Sequence, residues 1–335
     1  MRILIVKLTG LRGALATSAS LRALKEVIPG AAVTYLTLPC AQPATEGCPL
    51  IIETVGYDSD SSWSDFLGLL GHLRRQKFDF ALALSPQPLA RLLVAFSGAR
   101  QRVCAGRAPF YLRHFFHQQV TDLLVDPHEA AQDFAVISQA FHLSSEVPRM
   151  WFASSRMNEH GLLVEPQKYC VIHPGAARRE QILEIDKWVV VAKELVASGM
   201  VERVVVSAGQ GSEERLMAEA LCGLIGPVAQ STQGRLSFSQ LAKLIQDARL
   251  FLGTDSAILQ LASAVRTPVV GVYGPSDYNR TRPWGTLSRV VRIDTTSFEG
   301  EDRADYLARL DRAMARITPQ QIIRAADEVV RLSHP

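Results

Sequence analysis

Two hydrophobic periods alternate along this chain. Short β-rich runs come first: "RILIVK" (2–7), "AVTYLTL" (32–38), "FDFALALS" (78–85) and "QRVCAG" (101–106). Between them lie stretches with helical spacing, such as "FLGLLGHLRRQ" (66–76), and "HEAAQDFAVISQAFHL" (128–143) closes the half. Strands alternating with helices at this interval predict a doubly wound parallel sheet. The periodicity fades across 144–168, which reads as an interdomain segment. A second series follows: "YCVIHPG", "KWVVVAKELVAS", "ERVVVSAG", "EERLMAEALCGLI", "LSFSQLAKLIQDA", "RLFLGTDS", "AILQLASAV" and "TPVVGVYG". Two helical runs, "RADYLARLDRAMARI" and "TPQQIIRAADEVVRL", end it. The expected organisation is a first α/β domain over 1–155 and a second over 165–318. A terminal helix over 319–335 is expected to pack back on the first domain. Two such domains would face a cleft bordered by the carboxyl ends of their strands, where open α/β sheets bind ligands.

Length and composition fit this picture, since 335 residues suit two domains. Hydrophobic residues make up 47% and charged residues 21%, which excludes wholesale disorder. A formal charge of +3 falls short of the basic face of a nucleic-acid binder. Five scattered cysteines without a C-x-x-C pair argue against a disulfide frame or a metal cluster. The apolar run "MRILIV" is cut at once by Lys7, too early for a signal peptide. No stretch approaches the roughly 18 apolar residues of a membrane span. A cytoplasmic protein with at most peripheral membrane contact is expected.

The candidate chemistry lies at strand-to-helix corners. "KLTGLRGALATS" (7–18) joins a strand to a helix through Gly10 and Gly13. Such a corner lets backbone approach a ligand and presents free N–H groups to an anion. Its centre, Leu11-Arg12-Gly13, holds a cation but no proton-moving group. "LFLGTDSAILQLA" (250–262) makes a second corner, where Asp255 would grip sugar hydroxyls; a plain N-cap by Asp255 or Thr254 is equally consistent. "VVVSAGQGSEE" (204–214) is a third. There Glu213 or Glu214 would accept from ribose, or serve only as a first-turn acid favoured by the helix dipole. "VIHPGAARRE" (171–180) sets Arg178 and Arg179 beside a strand end, as phosphate recognition or as a solvated loop. Two weaker signals are the acidic Asp58-Ser59-Asp60 triplet and the pair His114 and His117, which lacks a third metal ligand.

Order and spacing say more than any one corner. The opening "RILIVKLTGLRGALATSASLRALKEVIPGA", then "IHPGA", "SAGQGSEE", "LSFSQLAKLIQDARLFLGTDSAILQLASAVRTPVVGVYGPSDYNRTRPWG" and "ARITPQQIIRAADEV", together resemble the glycosyltransferase family 9 heptosyltransferases. The resemblance covers nearly the whole chain and is most specific at 235–285. It implies the GT-B fold, two Rossmann-like doubly wound parallel sheets about a central cleft. It further implies inverting, metal-independent transfer of a heptose from an ADP-activated donor to a saccharide or glycolipid acceptor, with no cofactor. The inner face of the cytoplasmic membrane is the implied location. The donor is expected at Thr9, Gly10, Arg12 and Gly13 of the first corner. In the second domain it is expected at Gly175, Ala176, Arg178, Arg179, Gly209, Gln210, Glu213 and Leu236, and at Thr254, Asp255, Ser256, Ala257 and Gln260.

The chain departs from the family pattern in five places. The first turn of the family reads G-D, with the Asp as the presumed base, where this chain has Arg12 and Gly13. The family's Gly and His in the D-S/T-G-x-x-H corner are Ala257 and Gln260. Its donor-phosphate Lys falls in "REQILEID" (179–186), with Gln181, Arg178 and Arg179 as the only candidates. Its basic stretch after the third strand is the acidic "YDSDSSWSD" (57–65). The late cysteines common in relatives are absent. A replacement base is sought in Asp255, His173 or Asp277. The competing readings are a catalytically silent nucleotide-sugar binder and a nucleotide-sugar epimerase of the same fold.

Overall fold

In the computed structural model, strand β1 (Arg2–Val6) leaves Ile3, Leu4, Ile5 and Val6 with no solvent exposure. A strand so buried must be covered on both faces, which is the condition of a parallel sheet. Its neighbours are β2 (Ala32–Thr37), β3 (Ile51–Gly56), β4 (Phe80–Ala83), β5 (Gln101–Ala105) and β6 (Gln118–Val120). They pair in the order β3-β2-β1-β4-β5-β6, all parallel. Helices α1 (Leu11–Val27), α2 (Trp63–Arg75) and α3 (Pro88–Phe96) lie between these strands in the chain, and α4 (Glu129–Phe141) follows β6. The structure describes residues 1–46, 48–58, 60–123, 126–143, 146–154, 162, 164–293, 302 and 312–333. The chain divides into two units, Met1–Ala153 and Ser154–Pro335.

The second unit repeats the arrangement. Strands β7 (Tyr169–His173), β8 (Arg203–Val206), β9 (Ala229–Ser231), β10 (Leu250–Thr254), β11 (Val269–Tyr273) and β12 (Ser288–Arg292) form a parallel sheet in the order β12-β11-β10-β7-β8-β9. Its helices are α5 (Ile185–Ala197), α6 (Ser212–Ile225), α7 (Phe238–Asp247), α8 (Ala257–Ala264), α9 (Tyr278–Thr281), α10 (Ala313–Arg316) and α11 (Pro319–Ser333). Helix α11, expected to return to the first domain, buries Ile322, Ala326 and Val329 in the core of the second unit, in one cluster with Trp188 and Val272. The first part of "RADYLARLDRAMARI" lies outside the described residues. No helix among the described residues is long and apolar enough to cross a membrane.

The first corner differs from its sequence reading. Leu11, Arg12 and Gly13 are not a turn but the first three residues of α1, with Gly10 as N-cap in extended geometry. Beneath them lies a buried polar cluster. Lys7 Nζ, at the end of β1, meets Asp133 Oδ2 of α4 at 2.6 Å and donates to the Gly13 carbonyl at 2.9 Å. Thr17 donates to the same carboxylate at 2.7 Å, and its oxygen lies 3.0 Å from Tyr35 Oη. Burial pushes the Tyr35 phenol far above its ordinary value, so it stays protonated and can donate to Thr17. The result is a chain Tyr35→Thr17→Asp133, closed by Lys7, which ties β1, β2, α1 and α4 together.

Removing one member of a buried pair leaves an uncompensated charge, which costs about 3–5 kcal/mol. Asp133→Ala is therefore expected to lower the urea midpoint of the first unit steeply. The double change Lys7→Met with Asp133→Leu, which leaves no lone charge, should recover most of that loss. Equal losses for the single and double variants would show that packing, not charge, sets the cost.

Candidate functional site

In an open α/β sheet the ligand crevice opens where the strand order reverses, at the carboxyl ends of the two strands involved. In the second sheet that point lies between β7 and β10. Strand β7 runs out through His173, Pro174 and Gly175; β10 runs out through Thr254 and Asp255. Thr254 Oγ1 donates to the Gly175 carbonyl at 2.6 Å, so the two loops are fastened at the crevice. Asp255 is 3% exposed, and the N-cap of α8 is Ser256, whose oxygen accepts from Leu259 N at 3.3 Å. The N-cap residue is thus neither Asp255 nor Thr254.

The loops after β7 and β8 meet around two glycines. A Cβ on Gly209 would lie 2.6 Å from Glu214 Oε2, and one on Gly175 would meet Glu214 Cδ at 3.1 Å and His173 Nε2 at 3.2 Å. Glycine at both places lets the acid and the imidazole converge. Glu214 Oε2 accepts from Gly209 N at 2.6 Å, a charge-assisted bond that closes the loop. Of the two acids at this corner, Glu214 turns inward. Glu213 is 84% exposed and lies 3.7 Å from Arg179 Nη2, itself 90% exposed. Arg178 Nη1 lies 3.4 Å from Glu180. Both arginines have the geometry of the solvated loop.

Next along the sheet, Gly234 has φ +64 and packs against Gly209: a Cβ there would come 2.3 Å from the Gly209 carbonyl oxygen. Only glycine takes that conformation at that distance. Beside it a cavity of about 340 Å³ opens at the end of β9, lined by Gln230, Thr232, Gln233, Arg235 and Leu236 among others. The expected donor residues of the second domain therefore occupy loops at one edge of four adjacent strands, β10-β7-β8-β9. Gln260, at the family's His place, is 2% exposed and donates its amide to the Thr281 carbonyl. Gln181, one of the three candidates for the family's Lys place, donates to Ser276 Oγ at 2.7 Å. Two buried neutral amides thus hold the segment 276–281, while Asp277 within it is exposed.

In the first unit the order reverses between β1 and β4. There Thr9 Oγ1 and Ser85 Oγ are buried without a hydrogen-bond partner. A Cβ on Gly13 would lie 2.2 Å from Thr9 Oγ1. Arg12 Nε lies 3.9 Å from Glu129 Oε1, whose side chain is 20% exposed. Glu129 is the carboxylate that the fold delivers to this corner, and the sequence reading did not find it. Lys7, Asp133 and Glu129 gave one local signal, a charge within an apolar run, and nothing in the sequence paired them.

Among the described residues no cluster of His, Cys, Asp or Glu is placed to hold a metal ion. Asp60 N donates to Asp58 Oδ1 at 3.4 Å, a local turn, while Ser59 of the acidic triplet lies outside the described residues. His114 accepts from Arg113 Nε and His117 from Arg102 N, each at 3.2 Å.

Two parallel Rossmann-type sheets in tandem, with loops for a ligand at the carboxyl edge of the second, define the GT-B class of nucleotide-sugar-dependent glycosyltransferases. The solved glycosyltransferase family 9 protein of Veillonella parvula DSM 2008 is similar over 99% of this chain and 97% of its own, with a TM-score of 0.78 and 19% identity. The chain belongs to glycosyltransferase family 9 (heptosyltransferase), whose sequence model matches residues 67–307. It is 24% identical over 276 residues to lipopolysaccharide heptosyltransferase 3 of Escherichia coli, covering 80% of this chain and 79% of that protein. The structure of E. coli heptosyltransferase WaaC with ADP is similar over 98% of this chain and 100% of its own, at a TM-score of 0.78 and 15% identity.

His173 is 4% exposed and its Nδ1 lies 3.0 Å from Ser207 Oγ. Burial depresses its pKa below the ordinary 6.5, and the Glu214 carboxylate pulls it partly back. A histidine with a lowered folded pKa stabilises the fold above its unfolded value and loses that contribution as pH falls below it. Stability of the second unit should therefore decline from about pH 6.5 downward, by at most about 1.4 kcal/mol per pH unit from this group. His173→Asn, which keeps a hydrogen-bonding atom but cannot titrate, should flatten that slope in denaturation series across pH. Identical slopes would show that His173 protonates as freely in the fold as in the unfolded chain.

Proposed function

We propose that this chain transfers a heptose from an ADP-activated donor to a saccharide hydroxyl of a lipopolysaccharide core, with inversion and without a metal. The observation that carries this reading is the alignment of the donor loops along β10-β7-β8-β9, in a chain of glycosyltransferase family 9. The diphosphate lies at the N-terminus of α8, where N–H groups and the helix dipole favour an anion. The nucleoside takes the cavity beside Leu236, with Glu214 rather than Glu213 near the ribose. Asp255 takes sugar hydroxyls. With Gln181 and Gln260 in place of cations, the leaving charge is met by backbone N–H groups, an electrostatic term effective in a desolvated site.

The acceptor hydroxyl lies at the first corner, with Glu129 taking its proton. Arg12, 3.9 Å away, faces the carboxylate and orients it. A general base contributes about 10²–10⁴ in rate, and positioning and charge stabilisation supply much of the rest. A protein that only binds nucleotide sugar would show no transfer. An epimerase would return an altered donor.

Isothermal titration and turnover assays test this. ADP and ADP-heptose should both bind, and at 100 times Kd either should stabilise the fold by about 2.7 kcal/mol. Asp255→Asn should weaken ADP-heptose more than ADP; equal weakening would remove Asp255 from the sugar. Glu129→Gln should lower kcat by about 10²-fold or more with little change in donor affinity. Adding Gly13→Asp with Thr9→Gly, which removes the Oγ1 and Cβ that a Cβ at Gly13 would meet at 2.2 and 2.8 Å, should restore part of it. An unchanged kcat in Glu129→Gln would place the base elsewhere.

A further inference from the structure

From residue 80 to residue 121 the chain has no acidic residue, but it carries Arg91, Arg100, Arg102, Arg107 and Arg113 with two histidines. The same stretch presents three exposed aromatics: Phe110 at 79%, Tyr111 at 57% and Phe115 at 37%. The segment is anchored rather than loose. Leu112 and Phe116 are buried in the core of the first unit, and Leu112 N and Arg113 N both donate to the Pro109 carbonyl, at 2.9 and 3.0 Å. With those two side chains held inward, Phe110, Tyr111 and Phe115 face out. Phe110 and Tyr111 stand edge to face with centroids 5.4 Å apart.

Phe115 continues this surface into a groove. Its ring lies 5.0 Å from that of Phe96, which lines a cavity of about 480 Å³ with Phe66, Leu89 and Leu92. Arginines fix the aromatic backbone from behind. Arg102 Nε donates to the Phe115 carbonyl at 2.6 Å and Arg74 Nε to the Phe96 carbonyl at 2.9 Å. Arg107 and Arg113 are exposed beside the Phe110–Tyr111 pair. Arg91 is buried against the Ala105 carbonyl and takes no part.

We infer that the face formed by Phe110, Tyr111, Phe115 and Phe96, with Arg107 and Arg113, docks this chain on an anionic lipid bilayer. Rings with an apolar body suit the headgroup level of a membrane, and each Arg near an anionic surface adds roughly fivefold in partition. A second copy of the chain is the poorer occupant, because a two-fold contact would set these arginines against themselves. The acids Asp58, Asp60 and Asp65 flank Trp63 across the groove. They leave the 96–115 side as the one that meets negative headgroups. The inference stands apart from the donor site and holds whether or not the transfer reaction is as proposed. It gives the chain a way to meet an acceptor carried on lipid.

Co-sedimentation of the full chain with vesicles tests it. The protein should bind phosphatidylglycerol-containing vesicles at low salt, bind pure phosphatidylcholine weakly, and release at high salt. Phe110→Ser with Tyr111→Ser, and Arg107→Glu with Arg113→Glu, should each lower partition by about tenfold or more while leaving the thermal midpoint unchanged. A Phe110→Trp probe should be quenched by brominated lipid, a readout that needs no loss of binding. The inference is overturned if wild type ignores anionic vesicles, if both double variants bind as wild type does, or if the probe is not quenched. It is also overturned if the same variants abolish self-association or binding of a single-stranded oligonucleotide instead.

Discussion

The contact between Lys7 and Asp133, buried at 2.6 Å, fixes the geometry on which the first unit depends. An ammonium and a carboxylate taken out of water are tolerable only when each is paired and its remaining hydrogen-bonding capacity is used. Here Lys7 also serves the Gly13 carbonyl, and Asp133 also accepts from Thr17. Both ions therefore dictate where the first turn of α1 and the body of α4 lie. The cost of moving either helix is the cost of exposing a charge to an apolar core. That stiffness holds Arg12 and Glu129 across the corner from each other.

The second unit solves the same problem with little buried charge. Its loops are set by close backbone approach at Gly175, Gly209 and Gly234, and by single bonds such as Thr254 to Gly175. The buried amides of Gln181 and Gln260 tie down 276–281. The amide oxygens of both glutamines remain without partners. A neutral amide costs less to bury than an ammonium, so the segment is held without a buried charge. The first turn of α8 carries Ala257 beside the buried Asp255.

The two units share one architecture but spend their polar groups differently. In the first, buried ions are structural, and the hydroxyls of Thr9 and Ser85, just past β1 and β4, are buried without a hydrogen-bond partner. In the second, the buried His173 and Ser207, on β7 and the loop after β8, are joined by the half-buried Glu214 of α6. Burial keeps His173 neutral near pH 7, so the only formal charge of that set is the Glu214 carboxylate.

By itself the sequence determined the fold class and the strand-to-helix corners. Whether a residue is buried on both faces or on one stripe leaves a local period, and a strand running through glycine into a helix is contiguous in the chain. The half-exposed edge strand β3 and the three-residue β6 left too weak a period to read. The first turn of α1 was hidden because Gly10 caps it by backbone geometry alone, with no side-chain bond. Pairing was decided only in three dimensions. Lys7 finds Asp133 from 126 positions away, Arg12 finds Glu129, and Gln181 finds Ser276. The turning of Glu214 inward and Glu213 outward likewise follows from how the Gly209 loop closes on α6. Charges in sequence carry no address, and their partners are set by which helices the sheet order brings side by side.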